Sequence, residues 1–130
     1  MKKDEHGTAA VEAALVLPII ILIVILLAEY GHYYLNVYRY QQAVFAGARA
    51  GALAQEDKET AALSETVQVL GDMGVTVAGE DISVDPDKAS SVSGRSYTVV
   101  SIDTPFTPMV QYAQALLPAR VSVKASQLNY

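Results

Sequence analysis

Thr8-Ala9-Ala10-Val11-Glu12-Ala13-Ala14-Leu15-Val16-Leu17-Pro18-Ile19-Ile20-Ile21-Leu22-Ile23-Val24-Ile25-Leu26-Leu27-Ala28 contains one charged side chain, Glu12. At about 1.5 Å per residue this stretch forms a helix of roughly 30 Å, the thickness of a bilayer's hydrocarbon core. A secretory signal is the competing reading. Its apolar region usually runs about 7–15 residues and ends at a small-residue cleavage site. Here the apolar run Ala13 to Ala28 passes directly into Glu29-Tyr30-Gly31-His32-Tyr33-Tyr34, with no such exit. The expectation is a retained, single-pass membrane helix.

Outward from that helix, the amino-terminal flank carries Lys2 and Lys3, and the first basic residue on the other side is Arg39. Basic residues favour the cytoplasmic face and acids count little, so Asp4 and Glu5 do not reverse the sign. The N-terminus is expected in the cytoplasm and the bulk of the chain outside it. No proline occurs between Pro18 and Pro86. Tyr30, Tyr34, Val37, Val44, Phe45 and Ala48 keep a helical apolar rhythm, so one helix is expected from about Ala9 to Ala54. Pro18 has no N–H to donate to the carbonyl of Ala14, which predicts a kink or local unwinding there.

Gln55 to Glu59 reads as a solvated break. Thr60 then caps a second helix through Asp72, with Leu63, Val67 and Leu70 on its apolar face and Gly71 or Gly74 as stop. Beyond Gly74 the period becomes two. Val75 and Val77, Ile82 and Val84, Tyr97 to Ile102, and Val121 and Val123 read as strands. Met109 to Leu117, between Pro108 and Pro118, reads as a short helix. The fold class is therefore α+β: a long transmembrane helix continuing into a small head with a second helix and a three- or four-stranded, mostly antiparallel sheet. Three regions follow: 1–7, 8–54 and 55–130.

Composition narrows the function. The chain has 130 residues, a net charge of −5, 52% hydrophobic and only 18% charged residues. Nine basic residues without a cluster exclude phosphate-backbone recognition, so no nucleic-acid partner is expected. There is no Cys, and His6 and His32 are the only histidines, which leaves little for a metal or catalytic constellation. Glu80, Asp81, Asp85 and Asp87 cluster in a loop, but their spacing does not fit a calcium-binding EF-hand. Ser90, Ser91, Ser93 and Gly94 form a polar loop without the G-x-S-x-G pattern of a nucleophile. No enzyme, cofactor, metal or small-molecule substrate is expected.

Five of the eight tyrosines fall between Tyr30 and Tyr40. Tyr30, Tyr33 and Tyr34 suit an aromatic belt at the membrane interface, and Tyr38 and Tyr40 suit packing. Gly47 and Gly51 are four apart, a spacing that serves either a helix dimer or, outside the membrane, the close approach of another element. Glu12 sits at the mouth of the apolar helix. Either it snorkels and marks the helix start, or it is retained for a task, since a charge inside a bilayer costs about 2.5–3.5 kcal/mol.

Gly7 followed by four residues and Glu12, ahead of a long apolar helix, resembles the prepilin-peptidase site of type IV pilins. The run Gly7 to Pro18 closely resembles the start of TadE-like proteins of the Tad (tight adherence) pilus system. Glu29-Tyr30-Gly31 is similar to that family's Glu-aromatic-Gly step, and Ala48-Arg49-Ala50-Gly51 to its small-residue and arginine segment. Pro105-Phe106-Thr107-Pro108 and a last strand from Arg120 to Ala125 are similar in layout. The resemblance implies a minor pilin or pseudopilin of the inner membrane, cut between Gly7 and Thr8 by a prepilin peptidase. Glu12 becomes the fifth residue of the mature chain, and other pilins and Tad assembly proteins are the partners. The alternative is a signal-anchored periplasmic binding domain that never joins a filament.

Overall fold

The computed structural model describes residues 4–89 and 94–130. Lys2 and Lys3, on which the orientation rests, and Ser90, Ser91 and Ser93 lie outside the described residues. Helix α1 runs from Asp4 to Leu53 without interruption, about 75 Å at helical rise. It starts earlier than the apolar pattern indicated and passes through Pro18 with no break in helical structure, so the local unwinding expected there is not seen. Intact turns on either side carry the chain past the one missing bond. From Val11 to Leu27 nearly every large apolar side chain is exposed. Among the described residues, α1 is one helix long and apolar enough to cross a membrane.

The head is built on the far half of α1. Helix α2 spans Lys58–Asp72, and its cap is Asp57 rather than Thr60. The Asp57 carboxylate accepts the Thr60 N–H at 3.3 Å, which places Thr60 at the third helical position. Residues 54–57 separate the two helices, as expected of the solvated break, while Lys58 and Glu59 already belong to α2. Asp57 has φ 48°, a left-handed conformation. Asp57→Ala loses the cap and keeps an unfavourable φ, whereas Asp57→Gly loses only the cap. We expect a loss of about 1 kcal/mol for the first and clearly less for the second, read as thermal unfolding midpoints of the full chain in detergent micelles.

The buried face of α2 is Ala62, Thr66 and Leu70, not the expected stripe of Leu63, Val67 and Leu70. Leu63 and Val67 are exposed. Small residues face α1 because the two helices approach closely there. A Cβ on Gly47 would lie 1.9 Å from Thr66 Oγ1 and 2.8 Å from the Ala62 carbonyl oxygen. On Gly51 it would lie 2.7 Å from Thr98 Cγ2 and 2.9 Å from Ala62 Cβ. The glycine pair is occupied within the chain, by α2 and the sheet.

Gly74, at φ 69°, stops α2, with the Val75 N–H donating back to the Leu70 carbonyl at 2.9 Å. Val75 and Val77 form no strand. They pack on the core from an irregular segment that leads into a short 3-10 turn, Gly79–Asp81. Alternation over so short a stretch is satisfied by any extended chain with one buried side. The sheet comprises β1 (Ile82–Ala89), β2 (Ser96–Pro105) and β3 (Arg120–Leu128). It is antiparallel in the order β1-β2-β3, at the lower of the two expected strand counts. The β1–β2 register shifts between Asp85 and Lys88, around Pro86, as expected for a proline on an edge strand. Asn129 closes this irregularity by donating Nδ2 to the Pro86 carbonyl at 2.9 Å and to Ser96 Oγ at 2.8 Å. Tyr40, Val44 and Ala48 of α1 pack with Val100, Ile102, Val121 and Val123 of the sheet as the core. Burial raises the Tyr40 phenol above its ordinary range, with Arg39 opposing the shift.

The segment between β2 and β3 forms a 3-10 turn, Gln111–Ala115, rather than the expected short α-helix. It lies beside α1 just below the head, which brings residues about eighty positions apart together.

Candidate functional site

Two places on α1 concentrate the residues singled out above. The first is its amino-terminal end. Gly7, Thr8 and Glu12 are exposed on helix surface, and a Cβ on Gly7 would meet nothing within 4 Å. Thr8 and Glu12 are four residues apart and share one helix face. The Gly7–Thr8 bond falls close to the start of α1, where the first N–H groups lack helical acceptors and the turn frays at little cost.

The second place is where α1 leaves its apolar stretch. Glu29 is only 1% exposed. Its carboxylate accepts the Met109 N–H at 3.0 Å and also accepts the N–H of Val110. One residue on, the Tyr30 hydroxyl donates to the Leu116 carbonyl at 3.3 Å. Glu29 and Tyr30 therefore hold both ends of the segment that contains the 3-10 turn. The sequence marked Glu29 only as part of a family-like step. Its signal was an acid directly after a long apolar run, where a solvated residue is the ordinary expectation.

The aromatic residues divide. Tyr33 meets Phe106 edge-on at 5.1 Å and Tyr34 at 5.6 Å, and His32 lies 5.5 Å from Phe106. Tyr34 is exposed and Tyr30 partly so. Tyr40 packs in the core, but Tyr38 is 61% exposed, contrary to its expected packing. Tyr38 and Tyr34 are on the side of α1 that turns away from both α2 and the sheet.

Among the described residues, no group of three or more His, Asp or Glu side chains converges as a metal site. The four acids do not share a loop: Glu80 and Asp81 lie in the 3-10 turn and Asp85 and Asp87 on strand β1, where Asp87 pairs with Lys58 Nζ at 3.2 Å and accepts from Asn129. Such an exposed pair contributes at most about 1 kcal/mol.

Fold and site define a class: a membrane-crossing-capable apolar helix that carries a small α+β head on its far half. Residues 7–49 match the model of the family described as TadE-like protein, so the likeness covers the apolar stretch of α1 and the helix beyond it and leaves α2 and the sheet outside. The match takes in Gly7, Glu12 and the Glu29-Tyr30-Gly31 step. No curated protein and no solved structure matches the chain.

Proposed function

We propose that this protein is a minor pilin or pseudopilin that contributes to assembly of a Tad pilus, acting through its long helix and not as an enzyme. The observation that carries this reading is the unpartnered face of α1. Tyr34, Tyr38 and Phe45 are exposed well beyond the apolar stretch, and they continue its surface outward along one uninterrupted helix. A lone anchor needs apolar surface only within the bilayer. A subunit that packs among other helices needs it further along.

In this reading the N-terminus is cytoplasmic and the head periplasmic. A prepilin peptidase cleaves after Gly7, whose missing side chain lets the enzyme approach the backbone. Hydrolysis of the Gly7–Thr8 amide leaves a carboxylate on Gly7 and an ammonium on Thr8. Glu12 pairs with such an ammonium on a neighbouring subunit. The pairing gains strength as the helices bundle away from water, because the local dielectric falls.

Intact mass of the protein purified from its own membranes is the direct test. The expected chain starts at Thr8; one starting at Met1 would instead support a signal-anchored module outside any filament. Glu12→Ala is expected to insert normally in the membrane, by carbonate extraction, yet to abolish piliation. Normal pili on that strain would remove Glu12 from assembly.

A further inference from the structure

Between Asp103 and Arg120 the chain carries no charge over sixteen residues, 104–119. Phe106 and Leu117 turn into the core, but three of its other large side chains are turned outward: Met109 is 70%, Tyr112 91% and Leu116 59% exposed. Such exposure of three large apolar residues on one short segment is unusual for a surface in water. The same segment lies against α1 within the apolar stretch. Leu22, Ile25 and Leu26 face Val110, Tyr112 and Leu116 across an apolar groove of about 220 Å³.

Depth follows from helix geometry. If residues 8–28 span the hydrocarbon core, Leu22 lies about 9 Å and Leu26 about 3 Å inside its boundary on the head's side. A segment touching both is at or within the headgroup–acyl boundary, the depth that interfacial elements take. Non-helical backbone at that depth needs its polar groups satisfied from within the protein. Five of the segment's N–H groups have such partners. Glu29 accepts from Met109 and Val110, and Tyr30 donates to Leu116. The Ala113 and Leu116 N–H groups donate to the Val110 and Ala113 carbonyls at 2.9 and 3.0 Å. Phe106 N–H donates to the Ala119 carbonyl at 2.9 Å. The buried Glu29 thus does for this turn what water does for an exposed loop.

We infer that the 3-10 turn between β2 and β3 is a second membrane contact, with Met109, Tyr112 and Leu116 seated among the lipids of the leaflet nearest the head. It fixes the head's tilt and rotation on the membrane, which one helix alone leaves free. This rests on α1 crossing the bilayer, and the test separates the two statements. The chain contains no Trp, so single replacements report cleanly on their own surroundings. Full-length Tyr112→Trp, Leu116→Trp, Ile20→Trp and Tyr130→Trp variants are reconstituted into phosphatidylcholine vesicles, with and without brominated acyl chains, and their fluorescence is compared. Tyr112→Trp and Leu116→Trp are expected to emit at shorter wavelength than Tyr130→Trp. They should lose most of their emission to brominated lipid and resist quenching by aqueous acrylamide. Water-like emission at positions 112 and 116 while Ile20→Trp is quenched by lipid overturns the second contact and leaves the span intact. Protection from both quenchers overturns it in favour of a protein partner. An Ile20→Trp variant untouched by brominated lipid overturns the span and the second contact together.

Discussion

Gly47→Leu is expected to unfold the head while leaving the chain in the membrane. Even a Cβ at this position would lie 1.9 Å from Thr66 Oγ1 and 2.8 Å from the Ala62 carbonyl oxygen. Thr66 cannot simply turn aside. It is fully buried, and its hydroxyl donates to that same carbonyl at 2.7 Å. Helix α2 must therefore move away from α1, and the core beneath it opens. Overpacking typically costs about 1–3 kcal/mol, occasionally more, and a leucine in a gap that excludes one methyl belongs at the upper end. At roughly 4–8 °C per kcal/mol for a domain of this size, the head's melting temperature should fall by well over ten degrees. Near-ultraviolet circular dichroism of the full chain in micelles reads the loss, and far-ultraviolet signal from the membrane part of α1 should persist. Gly47→Ala gains up to about 1 kcal/mol of helix propensity and still meets both oxygens, so its deficit should be smaller. An unaltered melting temperature for Gly47→Leu would show that α2 does not sit where its small face was placed.

Glu29→Ala should release the segment between β2 and β3. Two backbone N–H groups, on Met109 and Val110, lose the carboxylate that accepts them. Hydrogen bonds to a charged group contribute about 1.5–3 kcal/mol each. The exchange rates of these two amides should rise about ten- to a hundred-fold if the loss is local, as measured by hydrogen exchange on the full chain. Glu29→Gln keeps the shape but offers one oxygen and one amide nitrogen. A donor would then face a donor at one of the two N–H groups, so this variant should release the segment nearly as far as Glu29→Ala. Were Glu29→Gln indistinguishable from the unmodified protein, the carboxylate would be acting as a space-filler rather than as a double acceptor.

The two variants strike different levels of the same design. Gly47 governs how closely helices pack, a matter of shape, whereas Glu29 governs whether a loop's polar groups are satisfied where water is excluded. The first supports the head itself. The second determines whether the head's underside can approach a lipid surface.

Some of this was legible in the residues alone. The apolar run to Ala28, the helical rhythm continuing to the early fifties, and the β-branched runs around Val84, Val100 and Val123 each carry a period that one secondary structure satisfies. The likeness to the TadE-like model over residues 7–49 was legible in the same way, because Gly7, Glu12 and the Glu29-Tyr30-Gly31 step are close in sequence. Weaker signals misled. Thr60 looked like a cap, but Asp57, three residues earlier, reaches the Thr60 N–H. Val75 and Val77 alternate without a strand partner, and Tyr38, expected to pack, is turned outward together with Tyr34.

What the sequence by itself determined is the long apolar helix able to cross a membrane: local periodicity, length and lack of charge are properties of one continuous segment and require no partner. Which face of α2 is buried, why Gly47 and Gly51 are glycines, and what Glu29 binds were decided only in three dimensions. Each depends on atoms brought together from distant positions: Gly47 with Thr66, Gly51 with Thr98, and Glu29 with Met109 and Val110. A helix face with leucine and valine is the more apolar one, but the closer approach is available only to the face with alanine and threonine. Close packing along two helices outweighed the extra apolar area of Leu63 and Val67, because contact at full density gains dispersion along the whole interface.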